Sequence, residues 1–301
     1  MAGTQTISKP TGNRMFSLRT MIIDHPLLTF FILAFVLAWL AVSPLLLSKA
    51  GLLALPPDLP VELFLIAGAF AGPTLSAYIT TLILDGWIGV RQLLRRYFQW
   101  RVGIGWYLFV FISPIVALTL GAIPFLGSSI LKSFSQNWSL LLSLYLPASV
   151  VGILFGPLWE EPGWRGFALP RLQQRFGAMP GTLILGLLWS LWHLPGFIGG
   201  WLGPFTLSSF SALMLGTTAM AFVLAWVYNN TRGSLLLMIF FHAALNAASS
   251  FGGKILPSDM SAAVRSLVES GWIPAVTYTL WALLVIFFTK GSLSYRRDPE
   301  D

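Results

Sequence analysis

The sequence contains no cysteine, which excludes thiol nucleophiles, disulfide staples and sulfur-ligated metal or redox centres. It is also poor in charge: only 10% of its 301 residues are Asp, Glu, Lys or Arg, with 11 acids and 3 histidines in all. That scarcity excludes a disordered chain and an ordinary soluble domain. Apolar residues fill the space instead. Hydrophobic side chains make up 56% of the chain, the mean hydropathy is +0.77, and long apolar runs recur from end to end. Such a composition belongs in a membrane.

Reading for apolar stretches of about 17 to 25 residues bounded by charge or Gly/Pro/Asn punctuation predicts eight spans. They lie near 27–48, 61–84, 104–126, 139–161, 180–199, 208–229, 233–250 and 271–289. The first reads as an uncleaved span, because its small-residue site Ala41-Val42-Ser43 is followed by Pro44. The fold class is therefore all-α, a polytopic integral membrane protein of about eight transmembrane helices. A polar tail is expected over 1–20, a single transmembrane domain over 21–290 and a second polar tail over 291–301.

The formal charge of +7 suggests nucleic acid only in a soluble protein, and no nucleic-acid partner is expected here. The positions of the cations give a topology instead. With the N-terminus in the cytoplasm, 14 of the 18 Lys and Arg fall inside. Lys49, Lys132, Lys254 and Arg265 fall outside, and eight spans return the C-terminus to the cytoplasm. The expected location is the cell membrane. Between the second and third spans, Val90, Leu93, Leu94 and Tyr97 recur at helical spacing with Arg91, Arg95 and Gln99 on another face and Arg96 beside them. This predicts an amphipathic helix lying against lipid headgroups.

Between Asp85 and Asp259 the only acids are Glu160 and Glu161, and they fall at the end of the fourth span. An ionisable side chain near the bilayer centre costs at least ~2.5 kcal/mol unless it is paired or wetted. Of the histidines, His25 in Asp24-His25-Pro26 reads as a helix entrance, with Asp24 as cap and Pro26 in the first turn. His193 and His242 fall inside spans. Helical rise places His193, His242 and Glu160 about 20, 14 and 15 Å from the cytoplasmic face, so the three share a depth if the fourth helix continues, kinked at Pro162-Gly163, to Pro170. Asn246 shares a face with His242, and Arg165 follows Glu161 by four and is its natural partner, leaving Glu160 for chemistry.

A carboxylate can act as general base toward water while His and Asn side chains stabilise an oxyanion. Alternatively, Glu160, His193 and His242 could supply three ligands to Zn²⁺, with water in the fourth position. Both routes end in hydrolysis. A Ser190 nucleophile fits less well, having neither a G-x-S-x-G elbow nor a third carboxylate. A transporter or channel using the same cluster as an ion or proton site is the reading from another class.

In the same order along the chain, Glu160-Glu161-Pro162-Gly163-Trp164-Arg165 resembles an E-E-x-x-x-R motif, Trp189 to His193 an F-x-x-x-H motif, and His242 to Asn246 an H-x-x-x-N motif. These are the motifs of the CPBP or Abi family of intramembrane endopeptidases, which includes type II CAAX prenyl proteases and bacteriocin-processing or immunity proteins, and the motif core covers about 140–250. Trp189 departs from the family pattern, standing where Phe is common. The resemblance implies that Glu160 and His242 activate water, that His193 and Asn246 stabilise the oxyanion, and that Glu161 and Arg165 organise the site. It also implies a peptide or protein substrate, prenylated or membrane-embedded, cut near the cytoplasmic leaflet, by a glutamate-type or a metal-dependent route. A scaffold or immunity protein that keeps the family body and works by binding is a third reading.

Overall fold

Inside a bilayer every backbone N–H and C=O must be paired within the chain, so uninterrupted apolar runs fold as helices. The computed structural model describes residues 18–297, and among them there is no strand. A short helix α1 (Leu18–Asp24) precedes α2 (Pro26–Lys49). Helix α3 (Val61–Ala69) passes through a π-helical turn, Phe70–Thr74, into α4 (Leu75–Arg95). Then come α5 (Ile104–Gly121), the short α6 (Ile123–Leu126) and α7 (Ser129–Gln136), a second π turn (Leu141–Tyr145), α8 (Leu146–Gly152) and α9 (Pro157–Glu161). A third π segment, Pro162–Ala168, leads into α10 (Leu169–Phe176). The chain finishes with α11 (Ala178–Trp192), α12 (Leu194–Gly199), α13 (Leu207–Asn230), α14 (Leu235–Lys254), α15 (Ala262–Glu269) and α16 (Trp272–Phe288).

Six helices are long and apolar enough to cross a membrane, and eight spans result if two bent pairs each count as one. The pairs are Ser129–Gln136 with Leu141–Phe155, bent by 73°, and Ala262–Glu269 with Trp272–Phe288, bent by 69°. The amphipathic helix continues α4 past a kink at Gly86, whose φ of 61° is a left-handed value that favours glycine. Val90 and Leu93 are buried on its inner face, and Leu94 is exposed.

Four details differ from the sequence reading. Residue 25, not Asp24, occupies the cap position of α2; no side chain caps that end, and Asp24 closes α1. The fourth span breaks at Gly156 rather than at Pro162-Gly163, since the π segment accommodates the proline without ending the helix. Arg165 is not a loop cation; it is fully buried. Residues 1–17, including Lys9 and Arg14, and 298–301 lie outside the described residues, but the rest of the two tails is structured. Leu18–Asp24 is helical, Leu293 is buried, and its carbonyl accepts from Asn229 Nδ2 at 2.9 Å.

The bundle leaves many large apolar residues on its outer surface and encloses a few polar ones within its apolar core. Leu28, Leu40, Trp87, Phe287 and Phe288 are exposed, while Glu161, Arg165, Thr182 and Ser190 are fully buried. Small residues let backbones approach. At Gly163 an added Cβ would lie 2.5 Å from the Cβ and carbonyl oxygen of Pro73, so the first and third π segments touch there with no room for a side chain. Thr74 Oγ1 also donates to the carbonyl of Trp159 and ties the first π turn to α9. Gly163→Ala is expected to force the two segments apart at a cost of about 1–3 kcal/mol, read as a lowered unfolding temperature in detergent.

Candidate active site

Adjacent residues on a helix point about 100° apart, so the two glutamates of α9 must face different surroundings. Glu160 is turned into a cavity of about 570 Å³ and Glu161 into the protein. Glu161 Oε1 accepts from Arg165 Nη1 at 2.8 Å and from His242 Nδ1 at 2.8 Å, and all three groups are buried. The pairing of Glu161 with Arg165, read from their spacing, holds even though a π turn lies between them. Glu161 Oε2 and Arg165 Nε and Nη2 are buried without a hydrogen-bond partner, and the guanidinium lies over the Trp189 ring at 4.1 Å from its centroid.

Helix α11 ends at Trp192, which puts His193 at the C-terminal cap, in a turn continued by Pro195. His193 Nδ1 is 2.8 Å from the carbonyl oxygen of Trp189. A carbonyl only accepts, so Nδ1 carries the proton, and a neutral His193 turns the lone pair of Nε2 away from that bond. The same reasoning applies to His242, whose Nδ1 faces the Glu161 carboxylate. Its Nε2 therefore faces away from that bond, in an orientation that Glu161 fixes. On the next turn of α14, Asn246 is exposed to the same cavity.

Glu160, His193, His242 and Asn246 thus line one cavity, as expected from the sequence, with Glu161 and Arg165 behind them. Among the described residues no group of three or more His, Cys, Asp or Glu side chains is gathered closely enough to hold a metal ion. Ser190 is not in the cavity wall; its Oγ donates to the Gly186 carbonyl at 2.7 Å.

The residue that sequence reasoning treated as packing is Trp189. Its Nε1 donates to Glu160 Oε2 at 2.9 Å, and its ring stands edge-on to His242 with centroids 5.3 Å apart. The departure from Phe was itself the signal, because it adds an N–H donor four residues before His193, on the same helical face.

The cavity extends from these groups away from the arginine-rich end of the bundle. Its lining climbs from Glu160 and His242 past Trp39 and Val42 of α2 to Trp201 and Leu202, in the connection between α12 and α13. The cause is the length of α11, whose 15 residues carry His193 about 22 Å from the end where the helix starts.

Residues 137–248, which hold every side chain named above as part of the site except the cavity walls from α2 and α3, match a family model described as Type II CAAX prenyl endopeptidase Rce1-like. A CAAX prenyl protease 2 of Methanococcus maripaludis is 28% identical over 144 residues, which is 46% of this chain and 52% of that protein. A cytochrome c-type biogenesis protein NrfE of Haemophilus influenzae is 35% identical over 115 residues, 35% of this chain and 18% of that protein. The aligned part of the chain thus spans about half the length of the first relative and under a fifth of the second.

Proposed function

Because residues 137–248 carry the Rce1-like type II CAAX prenyl endopeptidase segment, we propose that this membrane protein is an intramembrane endopeptidase that cuts with an activated water. The observation that carries the reading is the division of labour between adjacent glutamates, one held in a buried ion pair and one facing a cavity shared with two histidines and an amide.

In this reading Glu160 takes a proton from water, and His242 Nε2, with Nδ1–H tied to Glu161, accepts the water's other hydrogen. The hydroxide attacks the peptide carbonyl, and the Asn246 amide donates to the oxyanion. His193 joins it only when its ring carries a second proton, since the first is committed to the Trp189 carbonyl. Glu160 then returns its proton to the leaving amine. Trp189 holds Oε2 of Glu160, so Oε1 does the proton transfer. No step in this reading requires a metal.

The cavity walls beyond the polar groups are apolar and aromatic, including Trp39, Leu65, Phe155 and Leu213, which suits an apolar or lipid-modified peptide entering from the membrane. The M. maripaludis relative is named for a prenylated substrate, and a prenylated C-terminus is one form of that class. The charge distribution supports a cytoplasmic location for the arginine-rich end and both termini. The cavity then opens toward the opposite leaflet, which favours a translocated or membrane-embedded peptide.

Three results are expected. Glu160→Gln should lower turnover of a peptide reporter by about 10²- to 10⁴-fold while the protein inserts and unfolds normally, and full activity in that variant rules out the mechanism. Flux through proteoliposomes that depends on Glu160, with no new peptide termini, would indicate transport instead. Trp189→Phe keeps the aromatic packing and removes the donor; kcat should fall about tenfold or more with KM and Tm nearly unmoved. Since the chain has no cysteine, single substitutions report sidedness directly. In intact cells a membrane-impermeant maleimide should label Lys132→Cys and spare Gln92→Cys, and the reverse pattern inverts the orientation.

A further inference from the structure

A second cavity, of about 890 Å³, lies at the arginine-rich end and shares no residue with the first. It is bounded by the end of α13, the start of α14 and the segment after α16, with Arg96 reaching in from the turn that follows α4. Arg96, Arg232 and Arg296 line it beside Asn229, Asn230 and Tyr228, and among the described residues its lining includes no carboxylate. Arg171, on neighbouring α10, is engaged by Asp85 at 3.3 Å. Three guanidinium groups around one cavity repel each other unless an anion sits among them.

Two of the three arginines are anchored by hydrogen bonds. Arg96 Nη1 donates to the Gly166 carbonyl at 3.1 Å and to Tyr228 Oη at 2.8 Å, leaving its other N–H groups for a ligand. Arg232 Nη2 donates to the Arg101 carbonyl at 2.7 Å. The backbone is unusual here too. Among the described residues the non-glycine positions with positive φ are Arg232, Lys290, Leu293 and Ser294, all in the two segments that frame this cavity. Such conformations cost of order 1–3 kcal/mol each and collect at ligand-binding sites.

We infer that this cavity binds a phosphate-bearing anion, supplied by the headgroup of an anionic phospholipid. The lipid source follows from level. Helix α13 has 24 residues, about 36 Å, against a hydrocarbon core of about 30 Å, so its end reaches the headgroups. Exposed Trp100, with Arg101 beside its ring, marks the same interface. Guanidinium suits phosphate through paired charge-assisted hydrogen bonds.

The test uses the full chain in detergent, with native mass spectrometry counting retained phosphatidylglycerol against phosphatidylcholine, with and without inorganic phosphate. Phosphatidylglycerol should be preferred, and Arg296→Gln and Arg232→Gln should each weaken that preference about fivefold, the equivalent of about 1 kcal/mol per arginine. Arg265→Gln, which lies outside this cavity, should leave it unchanged. Arg96→Gln also removes a bond to Gly166 and Arg232→Gln one to Arg101, so the Arg296 variant decides the outcome. An unchanged preference in that variant overturns the site. Inorganic phosphate that binds with the same arginine dependence, in protein showing no headgroup preference, keeps the anion chemistry and overturns the lipid source.

Discussion

One oxygen atom, Glu161 Oε1, accepts two hydrogen bonds from groups that the chain brings from different helices. Burying a carboxylate is tolerable only if its partners are well placed, and removing one partner of such a pair costs about 3–5 kcal/mol. Arg165 meets that need and then lies over Trp189, whose indole N–H reaches the neighbouring Glu160. His242 meets it from α14, and the same bond sets which ring nitrogen faces the cavity.

The surrounding bundle holds this arrangement by close backbone approach rather than by bulk. The π turns at 70–74 and 162–168 each absorb a proline and meet at Gly163, which fixes α9 relative to α2 and α3. Irregular helix of this kind is tolerated at membrane depth because neighbouring segments pair the groups it frees; the tie between Thr74 and the Trp159 carbonyl shows how.

The spans, the amphipathic helix and the grouping of Glu160, His193, His242 and Asn246 were legible because each rests on a local pattern: an apolar run, a helical spacing, or a rare ionisable residue. The break at Gly156 and the burial of Arg165 were not legible, because both depend on how the 157–168 segment packs against its neighbours. Nor was the hydrogen bond from Trp189, which needs the relative rotation of α9 and α11, a tertiary quantity that spacing along one helix cannot supply. The basic cavity was hidden likewise: its arginines come from three stretches that the sequence reads as separate topology signals and that only the fold brings together.

The wide separation of the site's parts bears on how the protein is made. Glu161 and His242 are 81 positions apart, so α9 is synthesised and inserted well before the partner that orients it arrives. Until α14 enters the bilayer there is no oriented imidazole and no closed cavity wall. A newly made chain therefore lacks the assembled cluster while it is still beside the translocation machinery. Completion of the bundle is itself the step that assembles the site.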